Sequence, residues 1–313
     1  MKRTFLILAL TALLGVTGCN SGTNPIVVTI SSPIGAQALD IGQSFNITAS
    51  VTNDKLAKGA TFVLSGAGTL SNQTATSATY TASASGNGTI TIASASDPTK
   101  MKTISVVVTA APAITSAATL SPATEGTAYT GTIAVTGGAG SLNYSVTVGS
   151  LPAGFSLNSS TGAITGTATG PGGTVNFTVQ VKDSSTVSPQ TNSRAMSVTI
   201  NLPPAPQIST TTLPAGVEGT AYNQPLAITG GLAPFTYSIS AGSLPAGLSI
   251  NGGTGAVVGT PTGPNGTASF TVKVADSSNP VQSATQPLSI AVNLPPAPSI
   301  TTLSLPADVE GTL

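Results

Sequence analysis

The side chains best suited to chemistry in this sequence are four carboxylates that recur at one spacing. Glu125 and Glu218 are 93 residues apart, and so are Asp183 and Asp276. Carboxylate oxygens are hard ligands of the kind that calcium prefers, so these four residues are the candidate metal ligands. The 313-residue sequence has no histidine and one cysteine, which excludes Ser-His-Asp and Cys-His catalysis and zinc sites of the His/Cys type. We therefore expect that the protein is not an enzyme.

Calcium binding and a structural role compete as explanations for these carboxylates. Calcium takes about six to eight oxygen ligands, whereas each copy supplies one Glu, one Asp and the Asn that opens the following linker, Asn201 or Asn293. Asp183 and Asp276 each begin an Asp-Ser-Ser sequence. An Asp at the start of a turn binds its own backbone two residues on. The sequence favours the turn and no cofactor, with calcium kept as the alternative.

The carboxylates belong to a long internal repeat whose centre is a predicted hairpin. Gly149–Thr167 reads GSLPAGFSLNSSTGAITGT, and Gly242–Thr260 reads GSLPAGLSINGGTGAVVGT. In both, short runs with alternating apolar residues flank a Thr-Gly turn, which is typical of a β-hairpin. Each copy ends in the hexapeptide NLPPAP, at Asn201–Pro206 and Asn293–Pro298. Tandem prolines favour an extended, semi-rigid segment, so the sequence predicts β-modules separated by Pro-rich spacers.

These repeated motifs resemble the He_PIG repeats of bacterial surface proteins. The motif EGTAY occurs at Glu125–Tyr129 and at Glu218–Tyr222, and the second copy also has the family's proline at Pro234. The first copy departs from the family pattern at Ala168, where a proline is usual. The resemblance implies cadherin-like β-sandwiches. Cadherin-like folds use calcium at module junctions, but NLPPAP stands here in place of the acidic linker of true cadherins.

A different β-domain precedes the repeats. Its predicted strands are Ile26–Ile30, Ser44–Thr52, Thr61–Leu64, Ala78–Thr81, Thr89–Ala93 and Thr103–Val108. In the clearest of them, every second residue from Phe45 to Val51 is apolar, which predicts one buried face and suits a two-sheet sandwich. The segment VTNDKLAKGATFVLSG resembles bacterial Ig-like domains, with Phe62 in the core position where tryptophan is usual.

The N-terminus resembles the leader of bacterial lipoproteins. Lys2 and Arg3 precede a short apolar run, and Val16–Cys19 reads VTGC, which matches the lipobox. The resemblance implies cleavage after Gly18, lipid attachment to Cys19 and a short polar tether. The asparagine after the cysteine implies the outer membrane or cell surface rather than the inner membrane. The alternative is an ordinary signal peptide with a chance cysteine.

Composition limits the partners as well. Charged residues make up 6% of the chain, and removing the leader leaves fewer basic than acidic residues, so no nucleic-acid surface is expected. Tryptophan is absent, and the repeat-equivalent pairs Tyr129/Tyr222 and Tyr144/Tyr237 are predicted core residues rather than a sugar-binding platform. The expected partner is a membrane, through Cys19. A protein or glycan ligand is left open.

The fold class that follows is all-β, with tandem Ig-like or cadherin-like β-sandwich domains joined by Pro-rich linkers. The expected order is signal peptide (1–18), lipidated Cys19 and tether (19–25), bacterial Ig-like domain (26–110), repeat 1 (113–202), repeat 2 (207–294) and the truncated start of a third repeat (299–313). We expect a non-catalytic, lipid-anchored cell-envelope protein that acts as a stalk, spacer or adhesive element. The alternative is the N-terminal, non-catalytic part of a longer secreted enzyme or binding protein.

The lipobox generates the first testable prediction. Cys19→Ser removes the sulfur that the lipid would modify, so the variant should leave the membrane fraction and persist as an unlipidated precursor. Metabolic labelling with a radioactive fatty acid, followed by membrane fractionation, measures both effects. Equal labelling of the variant and the parent chain would contradict lipidation at Cys19.

Overall fold

The computed structural model describes residues 24–301 of the chain. Every regular element in that range is a β-strand, which confirms the all-β prediction. Among the described residues, no helix is long and apolar enough to cross a membrane. The predicted signal peptide, Cys19 and residues 302–313 of the predicted third repeat lie outside the described residues.

The chain divides into two compact units. Unit 1 comprises the residues up to Thr109 together with Ser185–Ser188, and unit 2 comprises Ala110–Ser184 together with the residues from Pro189 onward. Unit 2 contains both predicted repeats. Each unit is described by itself.

Unit 1 is a sandwich of two four-stranded sheets. Its strands are β1 (Val27–Ser32), β2 (Gln37–Asp40), β3 (Ser44–Thr52), β4 (Ala60–Gly66), β5 (Thr69–Ser71), β6 (Ser77–Thr81), β7 (Gly86–Ser94) and β8 (Met101–Thr109). One sheet has the order β1-β3-β6-β5 and the other β2-β8-β7-β4. Both sheets contribute to one core, in which Leu39, Ile47, Tyr80 and Ile90 are completely buried.

The alternation predicted for β3 is confirmed. Ile47 and Ala49 are buried, and Phe45 and Val51 pack against the same core. Phe62 is 5% exposed, as predicted for a core residue. Two strands of unit 1 were missed by the sequence analysis, β2 and β5. Strand β2 reads QALD and carries buried polar residues at both ends, so apolar alternation does not mark it, and it pairs in parallel with β8.

The first repeat has nine strands among the described residues. They are β9 (Ala113–Ile114), β10 (Ala123–Thr124), β11 (Ala128–Thr132), β12 (Val135–Thr136), β13 (Asn143–Gly149), β14 (Phe155–Leu157), β15 (Ala163–Thr167), β16 (Gly173–Lys182) and β17 (Thr191–Asn201). They form a four-stranded sheet β10-β17-β16-β13, a three-stranded sheet β11-β15-β14 and the pair β12-β9. Strand β10 runs parallel to the end of β17, and the long β16–β17 ladder is antiparallel.

The second repeat has the same architecture. Its strands are β18 (Gln207–Ile208), β19 (Gly216–Val217), β20 (Tyr222–Gln224), β21 (Ile228–Thr229), β22 (Thr236–Gly242), β23 (Leu248–Ile250), β24 (Val257–Gly259), β25 (Gly266–Ala275) and β26 (Ser283–Asn293). The sheets are β19-β26-β25-β22, β20-β24-β23 and β18-β21. Each sheet therefore corresponds to one in the first repeat.

The predicted hairpin is present in both repeats. Strand β14 pairs with β15, and β23 pairs with β24, both antiparallel. The turn before each hairpin requires glycine, because Gly154 and Gly247 have φ of +87° and +83°. A Cβ on either residue would approach the backbone oxygen of Thr167 or Thr260 to about 2 Å, which no side chain permits. The LPAG motif is thus fixed by close backbone packing.

The repeat tyrosines lie in the core, as predicted. Tyr129, Tyr144 and Tyr222 are less than 9% exposed, and Tyr237 is half-buried against the same core as Tyr222. Tyr129 stacks on Phe155 with ring centroids 4.7 Å apart. The Tyr222 hydroxyl donates to the Pro214 carbonyl at 2.9 Å. These rings are used for packing, which leaves no exposed stacking platform at these four positions.

The linker between the two repeats is bound rather than free. The Gln282 side-chain amide donates to the Pro203 carbonyl at 2.9 Å, and the Gly231 N–H donates to the Pro204 carbonyl at 2.6 Å. Pro206 is buried. The sequence predicts a spacer that separates the modules. The structure instead shows a linker that follows the surface of the second repeat, because its carbonyls have no intrastrand partners and accept hydrogen bonds from that repeat.

Two neighbouring residues on β4 test the unit 1 core. Phe62 points into the core, whereas Val63 is 62% exposed. Phe62→Ala should lower the free energy of unfolding of unit 1 by about 3–5 kcal/mol, because it leaves a cavity. Val63→Ala is the matched control and should change it by less than about 0.5 kcal/mol. Denaturant unfolding of the full chain measures both values; equal losses would contradict the assigned strand orientation.

Candidate functional site

The two repeated aspartates hold the loops that follow strands β16 and β25. Asp276 directly follows β25 and is 5% exposed. Its carboxylate accepts the backbone N–H of Ser278 (3.2 Å), Gln282 (2.8 Å) and Leu232 (3.2 Å), and the Ser278 hydroxyl donates to it at 2.6 Å. Asp276 therefore fixes the predicted Asp-Ser-Ser turn and ties it to the loop before β22.

Asp183 has the equivalent place after β16 in the first repeat. It is 4% exposed, and its carboxylate accepts the backbone N–H of Ala139 (3.0 Å) and Gln190 (2.7 Å). In both repeats a buried aspartate thus joins two loops at the same end of the sandwich. A buried carboxylate is tolerated there because backbone N–H groups replace the water that it loses.

The pKa of Asp276 is lowered from its ordinary value of 3.8. Burial alone raises this pKa, since it disfavours the charged form. The hydrogen bonds from the Ser278 hydroxyl and from the backbone N–H groups of Gln282, Leu232 and Ser278 lower the pKa by more, so the net shift is downward. The carboxylate is consequently ionised at neutral pH and acts as an acceptor only.

Glu125 lies at the opposite end of the first repeat and contacts the second repeat. It is 3% exposed and sits between β10 and β11, where its own N–H donates to the Asn201 carbonyl at 2.9 Å. Both carboxylate oxygens accept the backbone N–H of Asn279, at 3.2 and 3.1 Å. The Asn279 carbonyl in turn accepts the Gly172 N–H at 2.9 Å. The two repeats are therefore joined by reciprocal bonds to one residue of the second repeat.

Glu218 occupies the corresponding place at the end of the second repeat. Its N–H donates to the Asn293 carbonyl at 2.9 Å, which reproduces the Glu125–Asn201 bond. The side chain is half-buried rather than buried. Within residues 24–301, no N–H or O–H group donates to its carboxylate.

The structure does not bring the four calcium candidates into one cluster. Among the described residues, no group of three or more His, Cys, Asp and Glu side chains lies close enough together to hold a metal ion. Asp183 and Asp276 face loops at one end of each repeat, and Glu125 faces its neighbour's loop. Each of these three carboxylates accepts at least one backbone N–H from a loop.

A further carboxylate, Asp54, lines an open groove of about 920 Å³ in unit 1. It accepts the Ser96 hydroxyl at 2.6 Å and the backbone N–H groups of Leu56 and Lys58. The Ser96 bond is the largest cause of its lowered pKa. Asp54 thus holds its own loop, with Lys55 beside it in the lining of the groove.

Comparison with known proteins identifies the repeats. The family model He_PIG, described as "Putative Ig domain", matches residues 111–201 and 205–293. The chain belongs to the He_PIG family. The resemblance read from the repeat motifs is thereby confirmed, and unit 2 is a pair of He_PIG domains. No curated protein matches the chain in sequence.

Several solved structures are similar to this chain in fold. An endo-fucoidan hydrolase of glycoside hydrolase family 107 has 18% identity and a TM-score of 0.36 over 87% of this chain, which spans 45% of that chain. An I-band fragment of titin has 13% identity and a TM-score of 0.38, over 87% of this chain and all of that fragment. A mouse cadherin-23 fragment has 17% identity and a TM-score of 0.28, over 86% of this chain and all of that fragment. The family assignment rests on the sequence match alone.

Sequence reasoning found the four carboxylates but missed the residue that Glu125 binds. Asn279 lies 154 residues further along the chain, and it contributes backbone atoms rather than a distinctive side chain. The nearest signal is Gly126, whose missing side chain leaves room for Leu232. A glycine beside the repeated glutamate indicates that another part of the chain approaches closely. It does not indicate which residue approaches.

Asp276 generates a pH-dependent prediction. Its folded-state pKa lies below 3.8, so the stability that it contributes is complete above that pH and is lost as the pH falls through the folded-state value. Asp276→Asn should cost about 1.5–3 kcal/mol at pH 7. The difference between the variant and the parent chain should shrink as the pH falls from 5 to about 2.

Urea unfolding of the full chain at several pH values measures this difference. Ser278→Ala is the companion variant, because it keeps the carboxylate and removes the hydroxyl bond that lowers its pKa. Its loss of stability between pH 5 and about 2 should be smaller than in the parent chain, because the folded-state pKa of Asp276 then lies closer to the unfolded-state value. A pH-independent difference for Asp276→Asn would show that the charge of Asp276 does not support the fold.

Proposed function

We propose that this protein is a non-catalytic, lipid-anchored component of the bacterial cell envelope, whose Ig-like modules act as a stalk or spacer. Cys19 is the proposed anchor, and residues 20–25 are the tether to the first module. Several acyl chains on one residue hold a protein at a bilayer firmly, at ~0.8 kcal/mol per buried CH₂. The outer membrane or cell surface is the proposed location.

The observation that carries the spacer role is the junction between the two He_PIG repeats. A flexible chain of modules has linkers without fixed contacts, so each module moves independently. In unit 2 the linker carbonyls bind the second repeat, and Glu125 binds the backbone of Asn279. Fixed contacts of this kind support a spacer role, because they restrict the movement of one module relative to the next.

The described carboxylates also support a structural rather than a chemical role. Asp54, Asp183 and Asp276 each accept several backbone N–H groups from nearby loops, and Glu125 accepts one from the next repeat. A general acid or base must face a substrate with its titrating oxygen. These oxygens face loop backbone instead.

An adhesive role belongs to the same proposal through the exposed hairpin tips. Each tip is a turn held by an asparagine: the Asn158 and Asn251 side chains accept backbone N–H groups two and three residues on. A protein or glycan ligand would meet such tips first, because loops at the ends of sandwiches are exposed and positioned by a rigid scaffold.

Surface labelling tests the location. Thr254 is exposed in the hairpin tip of the second repeat, whereas Val257 is completely buried three residues later. In a two-membrane bacterium, Thr254→Cys should react with a membrane-impermeant maleimide on intact cells, and Val257→Cys should not. The label should be found in the outer-membrane fraction.

The anchor is tested in the same assay. Adding Cys19→Ser to Thr254→Cys should move the labelled protein out of the membrane fraction. Labelling of Thr254→Cys only after the outer membrane is permeabilised would contradict the surface location. Labelled protein found only in the soluble fraction, with Cys19 intact, would contradict the anchor.

A further inference from the structure

The end of each He_PIG repeat carries the same glutamate, and the two copies differ in what surrounds them. Glu125 is buried and accepts the N–H of Asn279 from the following repeat. Glu218, its equivalent 93 residues later, is half-buried and receives no donor within residues 24–301. The question is whether Glu218 is built for the same contact.

The contact at Glu125 has three parts. The carboxylate takes the Asn279 N–H in a fork, and the Gly172 N–H donates to the Asn279 carbonyl at 2.9 Å. The Leu232 side chain packs on Gly126, where an added Cβ would come within 2.3 Å of a Leu232 methyl carbon. Asn279 is therefore hydrogen-bonded through both its N–H and its C=O, and the Leu232 side chain packs beside it.

The scaffold around Glu218 repeats two backbone bonds of the scaffold around Glu125, including the bond from the Glu218 N–H to the Asn293 carbonyl. The Gly219 N–H donates to the Pro261 carbonyl at 2.9 Å, as the Gly126 N–H donates to the Ala168 carbonyl at 2.9 Å. The Glu218 carboxylate also lies directly over a glycine, Gly263. Its backbone and its carboxylate are thus placed as those of Glu125 are.

The same comparison shows where the two ends differ. Glu125 lies over Gly170, where an added Cβ would also meet the Asn279 side chain. At Gly263 the three nearest atoms all belong to Glu218, and among the described residues nothing lies within 4 Å of a Cβ built on Gly219. A cavity of about 280 Å³ opens beside Gly263. Within residues 24–301, no residue takes at Glu218 the places that Asn279 and Leu232 take at Glu125.

We propose that Glu218, Gly219 and the backbone N–H of Asn265 form a docking site for the Asp-Ser-Ser loop of a further He_PIG repeat. Asn265 is equivalent to Gly172, which supplies the reciprocal N–H in the observed junction. The partner is identified by its chemistry: a loop with an unpaired backbone N–H and C=O on one residue and a small or apolar residue that packs on Gly219.

The linker supports this choice of partner. The hexapeptide NLPPAP that leads from the first repeat to the second occurs again at Asn293–Pro298. Seventeen residues separate Asn201 from Glu218, and seventeen separate Asn293 from Glu310 in the next repeat-like stretch. A linker of equal length and sequence delivers the following module to the same distance from its predecessor.

Recognition through the backbone does not require one particular docking residue. Position 279 is asparagine, and its equivalent in the first repeat is Thr186, which donates its own N–H to the Ala38 carbonyl within unit 1. A carboxylate that binds a main-chain N–H makes a charge-assisted bond without reading the side chain. The site therefore selects the loop conformation that the buried aspartate imposes.

This inference goes beyond the proposed function and does not depend on the lipid anchor. It concerns how repeats of this family join to one another. Purified, unlipidated protein tests it, so its failure is distinct from a failure of the location assay.

The first experiment uses the native chain and a matched pair of variants. Amide hydrogen exchange, followed by NMR, reports the protection of the Asn279 N–H. Glu125→Ala should increase its exchange rate by about 10- to 100-fold, because the N–H loses a carboxylate acceptor. Glu218→Ala should leave it unchanged. Equal rates in the parent chain and both variants would overturn the role assigned to the glutamate.

The second experiment adds a complete He_PIG repeat after the second one. The full chain is extended with an added copy of residues 207–294 placed directly after Pro298. In this extended chain, we follow the N–H of the residue in the added copy that is equivalent to Asn279. This N–H should be protected from exchange. Glu218→Ala should increase its exchange rate by the same factor that Glu125→Ala produces at Asn279. Glu218→Gln, which keeps the shape of the side chain, should lose less of this protection than Glu218→Ala.

The control for folding is the Asp276 loop, whose amides report the integrity of the second repeat. If Glu218→Ala speeds exchange at Gln282 as well, the Glu218→Gln variant decides between docking and unfolding, since it retains an acceptor oxygen. Unchanged protection of the added copy in both Glu218 variants would show that the second repeat has no docking site at this position.

Discussion

The bond on which the repeats depend is the one between a buried carboxylate and loop backbone N–H groups. Loops at the ends of a sandwich carry N–H groups that no strand satisfies, and leaving one buried without a partner costs about 1–3 kcal/mol. The Asp276 carboxylate accepts hydrogen bonds from three such N–H groups, those of Ser278, Gln282 and Leu232. The rest of the repeat consists of hydrogen-bonded β-strands, and these loops connect the ends of the strands.

The same loop is held from two sides. Asp276 binds Ser278 and Gln282 from inside the second repeat, and Glu125 binds the intervening Asn279 from the first repeat. The internal bonds set the loop conformation that presents the Asn279 N–H outward. Because bonds within the second repeat hold the loop, little conformational entropy remains to be lost at the contact. The internal aspartate thus prepares the loop for the external glutamate.

The parts of the fold that follow local rules could be predicted from sequence. Strand β3 and the hairpins β14–β15 and β23–β24 are marked by alternation and by Gly-bearing turns, and they occur where expected. Short strands such as β2 depend on a partner distant in sequence, here β8, and their own residues do not signal it.

The candidate site divides in the same way. The recurrence of Glu125, Asp183, Glu218 and Asp276 is visible in the sequence, and the local turn at Asp276 follows from its Asp-Ser-Ser motif. The partner of Glu125 is a backbone N–H 154 residues away, which no residue-type pattern encodes. Carboxylates at a repeated spacing can bind either a cation or a backbone N–H, so the sequence alone allows the calcium hypothesis. Only the three-dimensional structure shows which groups surround each carboxylate.

The linker and the glutamate at the junction depend on each other. One forked hydrogen bond is too weak to hold two separate proteins together, since association costs several kcal/mol in lost freedom. A short linker turns the contact into an intramolecular one, with an effective concentration of about millimolar for a flexible connection and higher for a bound one. Bonds from Gln282 and Gly231 to Pro203 and Pro204 hold that linker against the second repeat. The prolines therefore do more than separate the modules: the bound linker keeps the second repeat beside the first, where the Glu125 carboxylate accepts the Asn279 N–H.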